Sequence, residues 1–175
     1  MIRISNSNGG GNIVYNGINV CCQPDCVFVQ MEKSMLSAKY TVDGWEANGI
    51  TLRFEQREKE ILSITLTSFN TPVKGIQLRW NGALPPLRIL GDHWERAYGD
   101  LEWRGFVPER VLPWYFVAWD GKRAAGCGVM TGPNAMCSWR VDEKGVTLCL
   151  DTKCGAEGFL PHSPVELCSI RELEG

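Results

Sequence analysis

Ile50-Thr51-Leu52-Arg53-Phe54-Glu55 and Leu62-Ser63-Ile64-Thr65-Leu66-Thr67 place an apolar side chain at every second position. Successive side chains of an extended strand point to opposite faces, so each run sets one face in a core and the other in water. The segment from Phe54 to Ile61, Phe54-Glu55-Gln56-Arg57-Glu58-Lys59-Glu60-Ile61, has a composition that suits a helical turn. Its alternating flanks make it a charged strand end and a hairpin turn. Working outward, Ile76, Leu78 and Trp80 alternate with Gln77 and Arg79; Val146, Leu148 and Leu150 alternate with Thr147, Cys149 and Asp151 after a turn at Glu143-Lys144-Gly145. Asp120-Gly121, between Trp114-Tyr115-Phe116-Val117-Ala118-Trp119 and Arg123-Ala124-Ala125-Gly126-Cys127-Gly128-Val129, signals a tight hairpin. Asp43-Gly44, Asn48-Gly49 and Asn81-Gly82 mark other strand ends. Nineteen glycines and nine prolines among so many short alternating runs predict an all-β fold, an antiparallel sandwich.

At 175 residues the chain fits a single domain, residues 1–175, with a glycine-rich and flexible first dozen. Gly9-Gly10-Gly11 precedes no strand-to-helix transition, so it is not a phosphate cradle. A net charge of -2, a pI near 5.7 and the absence of a basic stripe argue against a nucleic-acid partner. No apolar run is long enough for a signal peptide or a spanning helix, so a cytoplasmic protein without a membrane partner is expected. In that compartment the eight cysteines are reduced and serve as small apolar core residues. There is no Cys-x-x-Cys pair, and His93 and His162 are not spaced as zinc partners. Neither a metal nor a cofactor is expected, and Cys21, Cys22 and Cys26 are the one cluster to watch.

The longest break in the alternation runs from Asn81 to Gly105, entered through Pro85-Pro86, which cannot join a central ladder. Within it lies Gly91-Asp92-His93-Trp94-Glu95-Arg96-Ala97-Tyr98-Gly99-Asp100-Leu101-Glu102-Trp103-Arg104-Gly105. This loop holds four carboxylates, two arginines, two tryptophans, a tyrosine and one of the two histidines. Aromatic rings offer flat faces to the C–H side of a pyranose, and charged groups offer strong hydrogen bonds to its hydroxyls. Asp92, His93, Trp94, Arg96 and Trp103 are the candidate sugar-binding residues. His93 could donate to a hydroxyl or simply be packed with one nitrogen satisfied. Eight of the 17 aromatics fall between positions 94 and 119, and those of the Trp114-to-Trp119 strand are assigned to the core.

Catalysis within this chain is not expected. Glycosidases place two carboxyl groups across the scissile bond, about 5 Å apart for retention or about 6.5–9.5 Å for inversion. Asp100 and Glu102, at i and i+2 of an extended segment, lie about 7 Å apart but approach from one side. They are assigned instead to ion pairs with Arg96 and Arg104 that pin the loop. Asn134, in Gly132-Pro133-Asn134-Ala135, suits a turn better than a ligand contact.

Three stretches together resemble the N-terminal domain of α-galactosidase-like glycoside hydrolases of the family 36 type: Leu90 to Trp103, Val111-Leu112-Pro113-Trp114-Tyr115-Phe116, and Thr131-Gly132-Pro133-Asn134-Ala135. The resemblance covers roughly residues 20–173. It implies a β-supersandwich of the galactose-mutarotase-like kind that docks on a (β/α)₈ catalytic barrel carrying the two catalytic aspartates. No alternating strand and helix pattern for a barrel occurs in this chain, so neither aspartate maps onto it. The resemblance further implies that the loop at Asp92 and Trp94 lines a galactoside pocket completed by the barrel. A domain that lacks its barrel should expose an apolar patch and form homo-oligomers. Two other functions fit the same residues: a freestanding carbohydrate-binding module, and a purely structural or interaction sandwich.

Overall fold

The computed structural model describes residues 3–6, 11–14, 18, 20–58, 61–94, 101–132, 134–153 and 157–174. Its strands are β1 (Arg3–Asn6), β2 (Gly11–Val14), β3 (Cys26–Gln30), β4 (Met35–Ser37), β5 (Lys39–Thr41), β6 (Gly44–Ala47), β7 (Ile50–Glu58) and β8 (Ile61–Ser68). They continue with β9 (Gly75–Asn81), β10 (Arg88–Gly91), β11 (Leu112–Pro113), β12 (Tyr115–Trp119), β13 (Ala124–Thr131), β14 (Met136–Asp142), β15 (Gly145–Asp151) and β16 (Val165–Glu174). Among the described residues there is no α-helix, and none long and apolar enough to cross a membrane. An eight-stranded sheet runs in the order β10-β12-β13-β16-β8-β7-β6-β5, and a six-stranded sheet in the order β11-β14-β15-β9-β3-β4. Both are antiparallel, and the protein is the β-sandwich its alternating runs predict. The segment expected to be flexible contains the short ladder β1-β2; Gly9 and Gly10 lie outside the described residues.

Alternation becomes burial strand by strand. Ile50, Leu52, Leu62, Ile64 and Leu66 are buried from one sheet; Ile76, Leu78, Trp80, Val146, Leu148 and Leu150 are buried from the other. Trp139 joins the two layers, with its ring centroid 5.4 Å from Phe116 of β12 and 6.2 Å from Trp80 of β9. On the outer face of the six-stranded sheet Arg79 makes a bidentate pair with Asp142, at 2.7 and 2.9 Å. That hydrogen-bonded guanidinium holds the Asp142 carboxyl below the usual carboxylate range.

The turns follow their residues. Asn48 (φ 49°) and Gly49 (φ 75°) form the two-residue link between β6 and β7, a turn that needs positive φ at both positions and pairs Ala47 with Ile50. The Asp120-Gly121 hairpin is longer than a two-residue turn: Trp119 pairs with Ala124, and the Asp120 carboxylate accepts from the N–H groups of Lys122 and Arg123 at 2.8 Å each. Inside the Asn81-to-Gly105 break the structure adds β10, which the two prolines conceal in the sequence.

No disulfide joins the seven described cysteines. Cys21, Cys127, Cys137 and Cys168 are buried, and burial pushes the Cys21 thiol up to about 12. Cys21, Cys22 and Cys26 differ in setting, being respectively buried, exposed and half-buried. Among the described residues no three His, Cys, Asp or Glu side chains converge as a metal site would require.

Candidate functional site

Trp114 sits where the chain changes sheets. Leu112 and Pro113 pair with β14 in the six-stranded sheet, whereas Tyr115 to Trp119 pair with β10 and β13 in the eight-stranded one. The stretch from Trp114 to Trp119 is therefore a corner followed by a strand, and only Phe116 and Ala118 of it are fully in the core. Trp114 has φ 61°, a left-handed conformation that costs a bulky residue roughly 1–3 kcal/mol. Three hydrogen bonds hold it there: its N–H donates to the Cys137 carbonyl (3.1 Å), and its carbonyl accepts from the Val129 N–H (2.9 Å) and the Trp139 indole N–H (3.2 Å).

The loop leaves the eight-stranded sheet beside this corner. A Cβ on Gly91 would lie 2.7 Å from Leu112 Cδ2 and 3.1 Å from the Tyr115 carbonyl oxygen, so the exit has room only for glycine. Asp92 is buried, and its Oδ1 accepts from the His93 N–H at 2.9 Å. His93 is half-buried. Trp94 is 45% exposed, with its ring edge-on to Trp114 at a centroid distance of 5.1 Å and 75° between planes. A buried carboxylate thus fixes the backbone, and the corner tryptophan props the exposed indole.

Trp103 belongs to a different place. Arg104 exchanges two backbone hydrogen bonds with Ile89, at 2.6 and 3.1 Å, and brings the end of the loop back alongside β10. Arg110 secures this return by donating to the carbonyls of Ile89 (2.9 Å) and Glu102 (3.1 Å). Burial, with Arg104 nearby, lowers its pKa below the ordinary guanidinium value. Glu102 pairs with Arg104 at 2.6 Å, the scaffold role expected of it. Trp103 packs near Trp119, with ring centroids 6.0 Å apart. Trp114 and Trp119 stand at opposite ends of β12, about 16 Å apart at roughly 3.3 Å per residue. The expected single constellation is therefore divided: Asp92, His93 and Trp94 lie at one end and Trp103 at the other, while Arg96, with Glu95, Tyr98 and Asp100, lies outside the described residues.

Trp94 borders a groove of about 420 Å³ on the outer face of the six-stranded sheet, lined also by Phe28, Gln30, Gln77, Ser138 and Arg140. Strand register explains its floor. Phe28, Gln77, Cys149 and Ser138 are cross-strand neighbours on β3, β9, β15 and β14; Met35, Gln30, Gly75, Asp151 and Met136 form the adjoining row. None of these was among the sequence candidates. A signal exists in hindsight: Phe28 faces outward between the inward Val27 and Val29, and Gln77, Cys149 and Ser138 occupy outward positions without charge. Asn134 does not line this groove; its amide donates to the Glu166 carbonyl at 3.1 Å, tying the β13–β14 turn to β16.

Comparison with protein-family models, with curated proteins and with solved structures finds no match to this chain.

Proposed function

We propose that this chain is a non-catalytic, carbohydrate-engaging β-sandwich domain of the α-galactosidase-like glycoside hydrolase type. Its Asp92-His93-Trp94 end lines a galactoside pocket, and its Trp103 end docks on a (β/α)₈ catalytic barrel. The observation that carries this reading is Trp94: an indole left 45% exposed, yet propped by Trp114 and following a backbone turn that the buried Asp92 carboxylate fixes by accepting from the His93 N–H. A rigid exposed aromatic beside groups that can hydrogen-bond hydroxyls is what pyranose stacking needs. Docking is supported by Leu101, Trp103, Val107 and Trp119, all exposed around the returning loop. The finer assignment to a galactose-mutarotase-like supersandwich belongs to the same reading and is consistent with two large antiparallel sheets.

The test is an NMR titration of the indole N–H signals with galactose and melibiose, assigned by loss of one signal in Trp94→Ala. The Trp94 signal should shift in a saturable way, with a dissociation constant in the millimolar range expected of half a pocket, about -4 kcal/mol at 1 mM. Nitrophenyl α-galactoside should not be hydrolysed by the purified chain. An unmoved Trp94 signal rules out the sugar contact, and turnover of the galactoside rules out the non-catalytic role.

A further inference from the structure

We propose that the groove on the outer face of the six-stranded sheet takes a neutral oligosaccharide lying across the strands, with Trp94 holding its first ring. The inference rests on the reading of the Trp94 end as a sugar contact and extends it to a site of several rings. Length is the first argument. The row Phe28-Gln77-Cys149-Ser138 crosses four strands, about 14 Å at roughly 4.8 Å per strand, so it reaches well beyond a single ring at Trp94. A cavity of about 420 Å³ lies in the range of small-molecule sites, roughly 300–1,000 Å³.

The chemistry of the floor is the second argument. The carboxamides of Gln30 and Gln77 each offer donors and an acceptor, and the Ser138 hydroxyl offers both, which matches sugar hydroxyls that do the same. Phe28, Met35 and Met136 set apolar surface among them for C–H faces. Gly75, at the start of β9, lets the Gln30 side chain lie against the sheet, so an added methyl would push that carboxamide out of place. A Cβ there would stand 3.1 Å from Gln30 Oε1 and 3.4 Å from the Leu150 carbonyl oxygen.

Two of the three rim cations are paired within the protein, which leaves the uncharged polar floor to set the ligand class. Lys74 at the rim is paired with Glu32, and Lys153 with Asp151 at 3.8 Å, so these cations are balanced within the protein. Arg140 remains on the rim without a carboxylate among the described residues, placed to donate to hydroxyl oxygens.

Calorimetry and the Trp94 indole shift with galactose, melibiose and raffinose test the inference. Raffinose should bind at least tenfold tighter than galactose. Gln77→Leu and Gly75→Ala, both on β9 but acting by different means, should each remove that gain and leave the galactose-induced shift of Trp94 intact. Equal affinity for galactose and raffinose overturns the inference, as does a gain that survives both substitutions; in either case the Trp94 contact still stands. If no sugar moves the Trp94 signal, both the groove and the reading beneath it fail. Tighter binding of trigalacturonate than of raffinose overturns the neutral class.

Discussion

The two tryptophan pairs at the ends of β12, Trp94 with Trp114 and Trp103 with Trp119, have similar local sequence and different structural standing. Trp94 and Trp103 each follow or precede charged residues in one glycine-bounded loop. Trp94 leans on a residue whose main chain is tied into both sheets: Trp114 bonds to Cys137 of β14 and to Val129 of β13, and accepts from buried Trp139. Trp103 leans on Trp119, itself exposed at a hairpin end; its loop is tied to β10 by the Arg104–Ile89 backbone pair and the Arg110 hydrogen bonds, but among the described residues nothing buried lies under the indole pair comparable to Trp139. The difference teaches that an exposed aromatic is held in place by what lies beneath it. The charges beside it in sequence do not supply that.

The comparison breaks most severely if the support under Trp114 is removed. Trp139→Ala should cost about 3–5 kcal/mol in urea unfolding, the range for deleting a large buried aromatic, and should loosen the Trp94 end before the Trp103 end. Hydrogen exchange at the Val129 N–H, which bonds to Trp114, would report that order; a cost under about 1 kcal/mol would show that the corner does not depend on Trp139. A smaller effect is expected from Gly91→Ala. The added methyl must displace Leu112 or the Tyr115 backbone, at about 1–3 kcal/mol for overpacking, and should weaken the galactose response of Trp94. An unchanged melting temperature and sugar response would mean that the loop exit is not confined as the 2.7 Å approach implies.

The smallest effect sharpens the contrast from the other side. Trp103→Ala should cost no more than about 1 kcal/mol, the scale of one partly exposed aromatic pair, and should leave sugar binding at Trp94 unchanged. It should also weaken self-association measured by light scattering, since Trp103 belongs to the exposed apolar surface at that end. Loss of sugar binding in Trp103→Ala would reunite the two ends as one site.

Much of the fold was legible because its signals are local. Ile50, Leu52, Leu62, Ile64 and Leu66 declare their face by spacing alone, and Asn48-Gly49 supplies the positive φ values its turn requires. Asp92, His93 and Trp94 were legible as an unusual cluster, and contiguity in sequence kept them together in space. Trp103 was misplaced into that cluster because proximity in sequence says nothing of a loop that doubles back at Arg104 to Ile89. β10 was hidden behind Pro85-Pro86, and the break at Trp114 inside an apolar run gives no sign of a change of sheet.

The groove marks the boundary between the two kinds of knowledge. Sequence alone determined that the chain builds half-buried strands, since alternation of side chains follows from the geometry of an extended backbone and from burial of one face. It also determined that an aromatic and charged loop interrupts them. Only the tertiary structure decided that Phe28, Gln77, Cys149 and Ser138 stand side by side with Trp94 at their rim. Those neighbours come from strands β3, β9, β15 and β14, whose pairing skips across the chain. Register between distant strands is fixed by the packing of the whole core, which no local run of residues contains.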